Sequence, residues 1–286
     1  MPVKKRYPVP SDIDIAQEAE LRPISEIARD AGILEEELEP YGKYKAKIDY
    51  VKVLERLKDK PDGKLICVTA ITPTPLGEGK TVTAFGLGQG LNLLGKNVIN
   101  TFREPSKGPT FGIKGGATGG GYSQALPMED INLHFTGDIH AVQRAQLEGE
   151  KVIGLCVLHK NKLNLDPLNI TWPYCVDLNS RALRQVVVGL GGRANGYPRT
   201  TGFDITVATE TAAILALASD LKDLRERVGR AVVGYTYDGK PVTCEDLKVA
   251  GAMTALLKDA LKPNLVQSTE GHPMICHGFP FANVAH

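Results

Sequence analysis

The chain has 286 residues, 42% of them hydrophobic and 23% charged, the balance of an ordinary globular protein long enough for one large or two small domains. Its 34 Lys plus Arg stand against 33 Asp plus Glu, and the resulting charge of +1 gives no argument for nucleic acid or an anionic membrane as partner. No stretch approaches ~18 uninterrupted apolar residues and no apolar run follows the basic Met1–Arg6, so neither a membrane span nor a secretory signal is expected. The five cysteines, Cys67, Cys156, Cys175, Cys244 and Cys276, are odd in number and include no C-x-x-C pair. They point to a reducing cytoplasmic setting rather than to a zinc site or a disulfide framework.

In chain order, Ser11–Leu34 spaces its apolar residues for two short helices, with Ser11 and Asp12 as caps and Pro23 opening the second. Lys43, Lys45 and Lys47 read as a solvated basic face. Val51–Leu57 reads as a helix stopped by the turn Lys60-Pro61-Asp62-Gly63. Residues 1–60 thus form a mainly helical segment packed on whatever follows. Leu65–Ile71 is a short apolar, β-branched run of the kind that makes a buried strand.

After it comes T-P-L-G-E-G-K-T, Thr74 to Thr81, leading into an amphipathic stretch Thr81–Leu94 that ends at Gly95. Gly77 and Gly79 let backbone approach a polyphosphate, whose charge the helix-start amides face. Lys80 supplies a point charge for the β- and γ-phosphates, and the Thr81 hydroxyl can reach a magnesium ion. The candidate nucleotide-binding set is Thr74, Pro75, Leu76, Gly77, Glu78, Gly79, Lys80 and Thr81, with Thr81 as metal ligand. Thr74 stands where a full phosphate-loop motif would have glycine.

Asn97–Phe102 reads as the next strand, so strand, loop, helix and strand compose a βαβ unit with parallel pairing. Arg103 and Glu104 follow at the carboxyl end of that strand, where ligands bind in open α/β sheets, and Arg103 is the candidate partner of Lys80. Gly108–Tyr122 has seven glycines in fifteen residues around Lys114, and its Phe, Ile and Tyr mark a shaped ligand loop rather than a linker. Pro127–Ala141 carries Glu129, Asp130, His134, Asp138 and His140 and alternates as a strand would. His134, Asp138 and His140 would then share a face, lining a cleft rather than holding a transition metal.

These blocks resemble formate–tetrahydrofolate ligase. The resemblance rests on T-P-L-G-E-G-K-T, R-E-P-S, G-I-K-G-G-A-T-G-G-G-Y and P-M-E-D-I-N-L-H-F-T-G-D-I-H-A. It resumes in L-N-S-R-A-L-R, V-V-V-G-L-G-G, F-D-I-T-V-A-T-E, L-K-D-L-R-E-R-V-G, K-P-N-L-V-Q and H-G-F-P-F-A-N-V-A-H, and so covers nearly the whole chain. It implies an ATP-dependent ligase that activates formate as formyl phosphate and passes the formyl group to tetrahydrofolate. Lys80 would meet the transferring phosphoryl group, Thr81 magnesium and Arg103 the formyl phosphate, with Glu104 and Asp138 orienting charge nearby. A monovalent cation requirement, small-molecule substrates without nucleic acid or membrane, and homo-oligomers of the full-length enzyme are further expectations.

Thr118 and Val82 depart mildly from the family pattern. Residues 143–162 depart more, and Lys151–Leu158 looks like a strand. Family members are about twice as long, so the chain reads as their N-terminal portion, with the aromatic residues that pack on folate expected beyond residue 286. Two rivals remain open: another carboxylate-activating ligase with the same loop, and a truncated nucleotide-binding module without catalysis.

Downstream, Asn179–Val188, Glu210–Ala218, Asp220–Val228 and Cys244–Leu261 read as helices, and Phe203–Val207 and Leu265–Gln267 as strands. Ala231–Tyr235 and Pro241–Thr243 flank the hairpin signal Asp238-Gly239. The expected fold is α/β: a mainly parallel sheet with helices on both faces around a P-loop, nucleoside-triphosphate-hydrolase-like core.

Overall fold

The computed structural model describes residues 4–71, 79–106 and 118–280. They divide into two compact units: Met1–Thr136 with Lys262–Pro280, and Gly137–Leu261. No helix among the described residues is long and apolar enough to cross a membrane.

The first unit begins as its local chemistry dictates. The Ser11 hydroxyl accepts from the Asp14 amide and caps α1 (Asp12–Glu18), and Pro23 precedes α2 (Ile24–Asp30). An antiparallel hairpin follows, β1 (Leu38–Pro40) and β2 (Ala46–Ile48). Here the solvated basic face is corrected. β2 is buried along its whole length, Lys47 is fully buried with Nζ donating to the Lys262 carbonyl at 3.1 Å, and Lys45 pairs with Asp130 at 2.7 Å. Three lysines in five residues hide a strand whose lysine stems pack while their ammonium groups find oxygen. Asp49 caps α3 (Tyr50–Leu57).

The strand expected at Leu65–Ile71 is absent. That stretch is irregular, and Leu65 and Ile71 are almost wholly exposed. An apolar run becomes a strand only where a sheet edge accepts it. Then come α4 (Lys80–Leu93), β3 (Asn100–Phe102), β4 (Gly119–Gly120), β5 (Ser123–Leu126) and α5 (Met128–Asn132). The strand expected across Pro127–Ala141 is instead α5, a turn, and the start of the next helix.

The second unit opens with α6 (Asp138–Leu158), a single long helix where a strand was expected at Lys151–Leu158. Its buried positions, Asp138, Val142, Ala145, Gln146, Gly149, Glu150 and Ile153, follow helical spacing. That period is invisible in a window starting at residue 151. Next are β6 (Leu165–Ile170), β7 (Tyr174–Val176), β8 (Val186–Val188), β9 (Arg199–Thr201) and β10 (Phe203–Ile205). Asn179–Val188 is therefore a 3-10 turn at Arg181–Leu183 followed by a strand, not a helix. The unit finishes with α7 (Glu210–Leu217), α8 (Leu221–Arg230), β11 (Val232–Thr236), β12 (Pro241–Thr243) and α9 (Ala250–Leu257). β12, β11 and β6 make an antiparallel sheet, β8 and β9 a hairpin, and β7 and β10 a parallel pair. Trp172 is buried against Gly149 of α6, its indole N–H donating to the Gln146 carbonyl at 3.0 Å.

The chain then returns to the first unit as β13 (Asn264–Ser268) and β14 (Pro273–Cys276), which complete a seven-stranded sheet in the order β1-β2-β13-β14-β3, with β5 on β13 and β4 on β5. β13 pairs with β14 along one edge and with β2 and then β5 along the other. Among the described residues, one apolar cluster lies under α2 and another under α4.

The expected mainly parallel P-loop core is overturned. Among the described residues eight of ten strand pairings are antiparallel; the parallel ones are β14 with β3 and β10 with β7. β3 finds its parallel neighbour in β14, some 170 residues downstream, and not in Leu65–Ile71, so the inferred βαβ closure does not form.

Candidate functional site

The site is built around α4 and the strand that runs back along it. Gly79, at φ 74°, turns the chain through the left-handed region into the first turn of α4, a conformation glycine adopts without strain. Among the described residues no side chain caps that turn and no acid stands in it, so the positive end of the helix faces no described anion. Lys80 and Thr81, both half-buried, are the first residues of α4. Thr74, Pro75, Leu76, Gly77 and Glu78 of the predicted loop, and Lys114 of the glycine block, lie outside the described residues.

β3 is fixed to α4 by close contacts. Asn92 Nδ2 donates to the Val98 carbonyl at 3.4 Å, Asn100 Nδ2 donates to the Ala84 carbonyl at 2.8 Å, and the Phe102 ring meets Phe85 edge-on at 5.3 Å. Going from residue 98 to 102, the partners on α4 move from its last turn towards its first. Arg103 therefore leaves the strand on the side of the α4 start, with its side chain exposed. Glu104 is buried, so the two are not a surface ion pair.

The tail of the glycine block closes on the same helix end. A Cβ at Gly119 would stand 2.9 Å from the Phe85 ring and 2.0 Å from the Ser123 carbonyl, and one at Gly120 would touch Val82. Gln89 of α4 donates to the Tyr122 carbonyl at 3.0 Å and to Thr269 Oγ1 at 2.8 Å. Helix start, Arg103 and glycine tail, three stretches singled out separately in the sequence, meet around one end of α4.

His277 was missed. It is the residue after β14, and the register Cys276 to Phe102 places it beside Arg103. Its backbone N–H donates to the Phe102 carbonyl at 3.0 Å, and the Glu104 amide donates to the Gly278 carbonyl at 2.8 Å. The pairing zips His277–Phe279 onto the Arg103–Glu104 segment. Burial, and then the charge of Lys47, pushes the imidazole down to about 4, so it is neutral at pH 7, and its Nδ1 has no hydrogen-bond partner among the described residues. A parallel pairing across 170 residues leaves no local signal that could have exposed it.

The other candidates scatter. Asp130 holds Lys45, and Glu129 accepts from Gln17 at 3.3 Å, both structural duties. His134 lies in the turn after α5, whereas Asp138 and His140 begin α6 in the second unit; Asp138 is buried and both histidines are exposed. The shared strand face is thus lost, and no group of three metal-ligating side chains exists among the described residues.

A helix start opened by a left-handed glycine, with a lysine in its first turn and an arginine at the adjoining strand end, is an arrangement for receiving an oxyanion. Sequence comparison makes the class specific. Residues 10–286 match the formate–tetrahydrofolate ligase family, and the chain belongs to it. It is 62% identical over 278 residues to the formate–tetrahydrofolate ligase of Desulforamulus reducens, and 60% identical over 276 residues to that of Thermosipho melanesiensis. Those matches cover 97% and 96% of this chain but 49% and 50% of the relatives, so the chain spans about half the length of the curated relatives it matches.

Proposed function

We propose that this chain carries the nucleotide and formate-activating part of an ATP-dependent formate–tetrahydrofolate ligase. The carboxylate of formate attacks the γ-phosphorus of ATP, ADP leaves, and formyl phosphate results. The N10 amine of tetrahydrofolate then attacks the formyl carbon, phosphate leaves with the C–O bonding pair, and the amine gives up its proton. Both steps move negative charge rather than demand a protein nucleophile, so catalysis rests on positioning and charge neutralisation.

Lys80 and the leading amides of α4 take the phosphoryl group. Arg103, whose planar guanidinium suits a bidentate oxyanion, takes the formyl phosphate. Magnesium entering with the nucleotide would take the Thr81 hydroxyl as a ligand and neutralise phosphate charge. The observation that carries this reading is the convergence of the α4 start, Arg103 and the glycine tail, in a chain of this family. Small-molecule substrates, a cytoplasmic setting and a homo-oligomeric full-length enzyme belong to the same proposal.

The test is calorimetric titration of this chain with magnesium-ATP and with ADP, beside Lys80→Ala. Loss of a charge-assisted phosphate contact should weaken binding by about tenfold or more. Formate-dependent ADP release, abolished by Arg103→Ala, would then extend the reading to activation. Binding that Lys80→Ala leaves intact would sink the assignment of the α4 start, and binding without formate-dependent turnover would favour a nucleotide-binding module.

A further inference from the structure

The second unit holds a glycine loop that the ligase reading does not use. Between Leu178 and Phe203 the chain carries four arginines, Arg181, Arg184, Arg193 and Arg199, and no acidic residue, in a protein whose net charge is only +1. Arg199 is spoken for: it is nearly buried on β9 and forms an ion pair with the buried Glu150 of α6, which anchors the loop end of the β8–β9 hairpin. Arg181, Arg184 and Arg193 are exposed and make no ion pair with any described residue.

The hairpin loop between β8 and β9 borders an open surface depression of about 540 Å³, lined by Gly189, Leu190, Gly191, Gly192, Arg193, Gly196, Tyr197 and Pro198. That is within the roughly 300–1,000 Å³ of small-molecule sites. The loop cannot be made from other residues. Gly189 and Gly191 sit at φ 79° and 95°, and a Cβ there would stand 2.3 Å from the Tyr197 carbonyl oxygen and 2.6 Å from Asn195 Nδ2. Asn195 Nδ2 ties the loop across itself by donating to the Leu190 carbonyl at 2.9 Å. The successive N–H groups of Leu190, Gly191 and Gly192, residues that line the depression, donate to no described residue, and the neighbouring Arg193 guanidinium forms no ion pair with one. Runs of backbone N–H groups of this kind receive oxyanions. Leu190 and Tyr197 add exposed apolar surface to the same depression, and a tyrosine face beside an arginine suits a planar ring that carries the charge.

We propose that the Gly189–Pro198 loop is a second ligand site, for a small oxyanion, phosphate or carboxylate, carried on a planar ring. The guanidinium of Arg193 and the open amides hold the charge, and Tyr197 packs on the ring. This goes beyond the ligase reading and uses no residue of the α4 site.

The experiment titrates the 286-residue chain carrying Lys80→Ala, which removes the phosphate contact at α4, with adenosine 5′-monophosphate and separately with N-benzoyl-L-glutamate, followed by amide chemical shifts in nuclear magnetic resonance. Saturable binding of either probe, with shifts centred on Leu190–Gly192 and an affinity lowered about tenfold by Arg193→Gln, is the expected result. Which probe binds decides between phosphate and carboxylate. Tyr197→Ala should weaken the ring-bearing probe and leave inorganic phosphate unaffected. Arg193 and Tyr197 are exposed, so neither variant endangers folding. Absence of binding by both probes at millimolar concentration, shifts confined to other segments, or equal affinity in Arg193→Gln would overturn the proposal.

Discussion

Gly88 and Gly90 both interrupt α4, and their surroundings differ. A Cβ at Gly88 would stand 2.0 Å from Asn100 Oδ1 and 2.5 Å from its Cγ, while nothing lies within 4 Å of one at Gly90. Alanine in a helix interior normally gains about 0.5–1 kcal/mol over glycine. Gly90→Ala should therefore stabilise by about that amount. Gly88→Ala should destabilise by about 1–3 kcal/mol, because Asn100 must leave its place and forfeit its bond to the Ala84 carbonyl. Denaturant melts of the two variants check the opposite signs. His277 gives a second prediction at this scale. Its folded value of about 4 lies below the ordinary 6.5, so between those limits the unfolded chain takes up a proton that the folded chain refuses. The stabilisation is complete above about pH 6.5 and is lost as pH falls towards 4, by at most about 3 kcal/mol. The difference in stability between His277→Gln and the parent protein, followed from pH 7 to pH 4, should change by that much; a difference that stays constant would remove the buried neutral imidazole from the account.

Among the elements, those with local chemistry were legible in the sequence. Asp220 caps α8 by accepting from the Asp223 amide at 2.8 Å, with Arg227 and Arg230 in the last turn. Asp238-Gly239 turns β11 into β12, with Gly239 at φ 79°. The helix expected over Thr81–Leu94 after the G-K-T turn is α4, Lys80–Leu93. What failed was whatever depends on a distant partner. Apolar residues at 65–71 proposed a strand that no edge accepts, and the lysines of residues 43–47 hid the strand β2, which β13 accepts. A direct consequence is measurable. Leu65→Ser and Ile71→Ser, at almost fully exposed positions, should each change stability by less than about 0.5 kcal/mol. In a buried strand the same changes would cost about 2–5 kcal/mol. Losses of that size would restore the strand.

The whole molecule is one unit interrupted by another, and the sequence shows neither boundary because no linker composition marks Thr136–Gly137 or Leu261–Lys262. The break becomes intelligible only through what holds its two edges. Thr136 Oγ1 donates to Asn264 Oδ1 at 2.7 Å, so the points where the chain leaves the first unit and re-enters it are neighbours. Asn264 is in turn fixed between Lys47 of β2 and Cys276 of β14 by strand register, so this junction belongs to the sheet rather than to the inserted residues. The apolar cluster under α4, with Phe85, Ala125, Ile131, Phe135, Val266, Met274 and Cys276, likewise draws only on the first unit. Replacing Gly137–Leu261 by a short Gly-Ser linker should therefore leave the first unit folded, because closing so small a gap adds little chain entropy. The shortened protein should keep a cooperative melt. It should also bind magnesium-ATP within about threefold of the parent chain, a difference under 1 kcal/mol, if Lys80, Thr81 and Arg103 carry the nucleotide as proposed. A folded but non-binding deletion would assign part of the nucleotide site to the second unit. A deletion that does not fold would show that the sheet needs the insertion, whatever the hydrogen bond at its mouth.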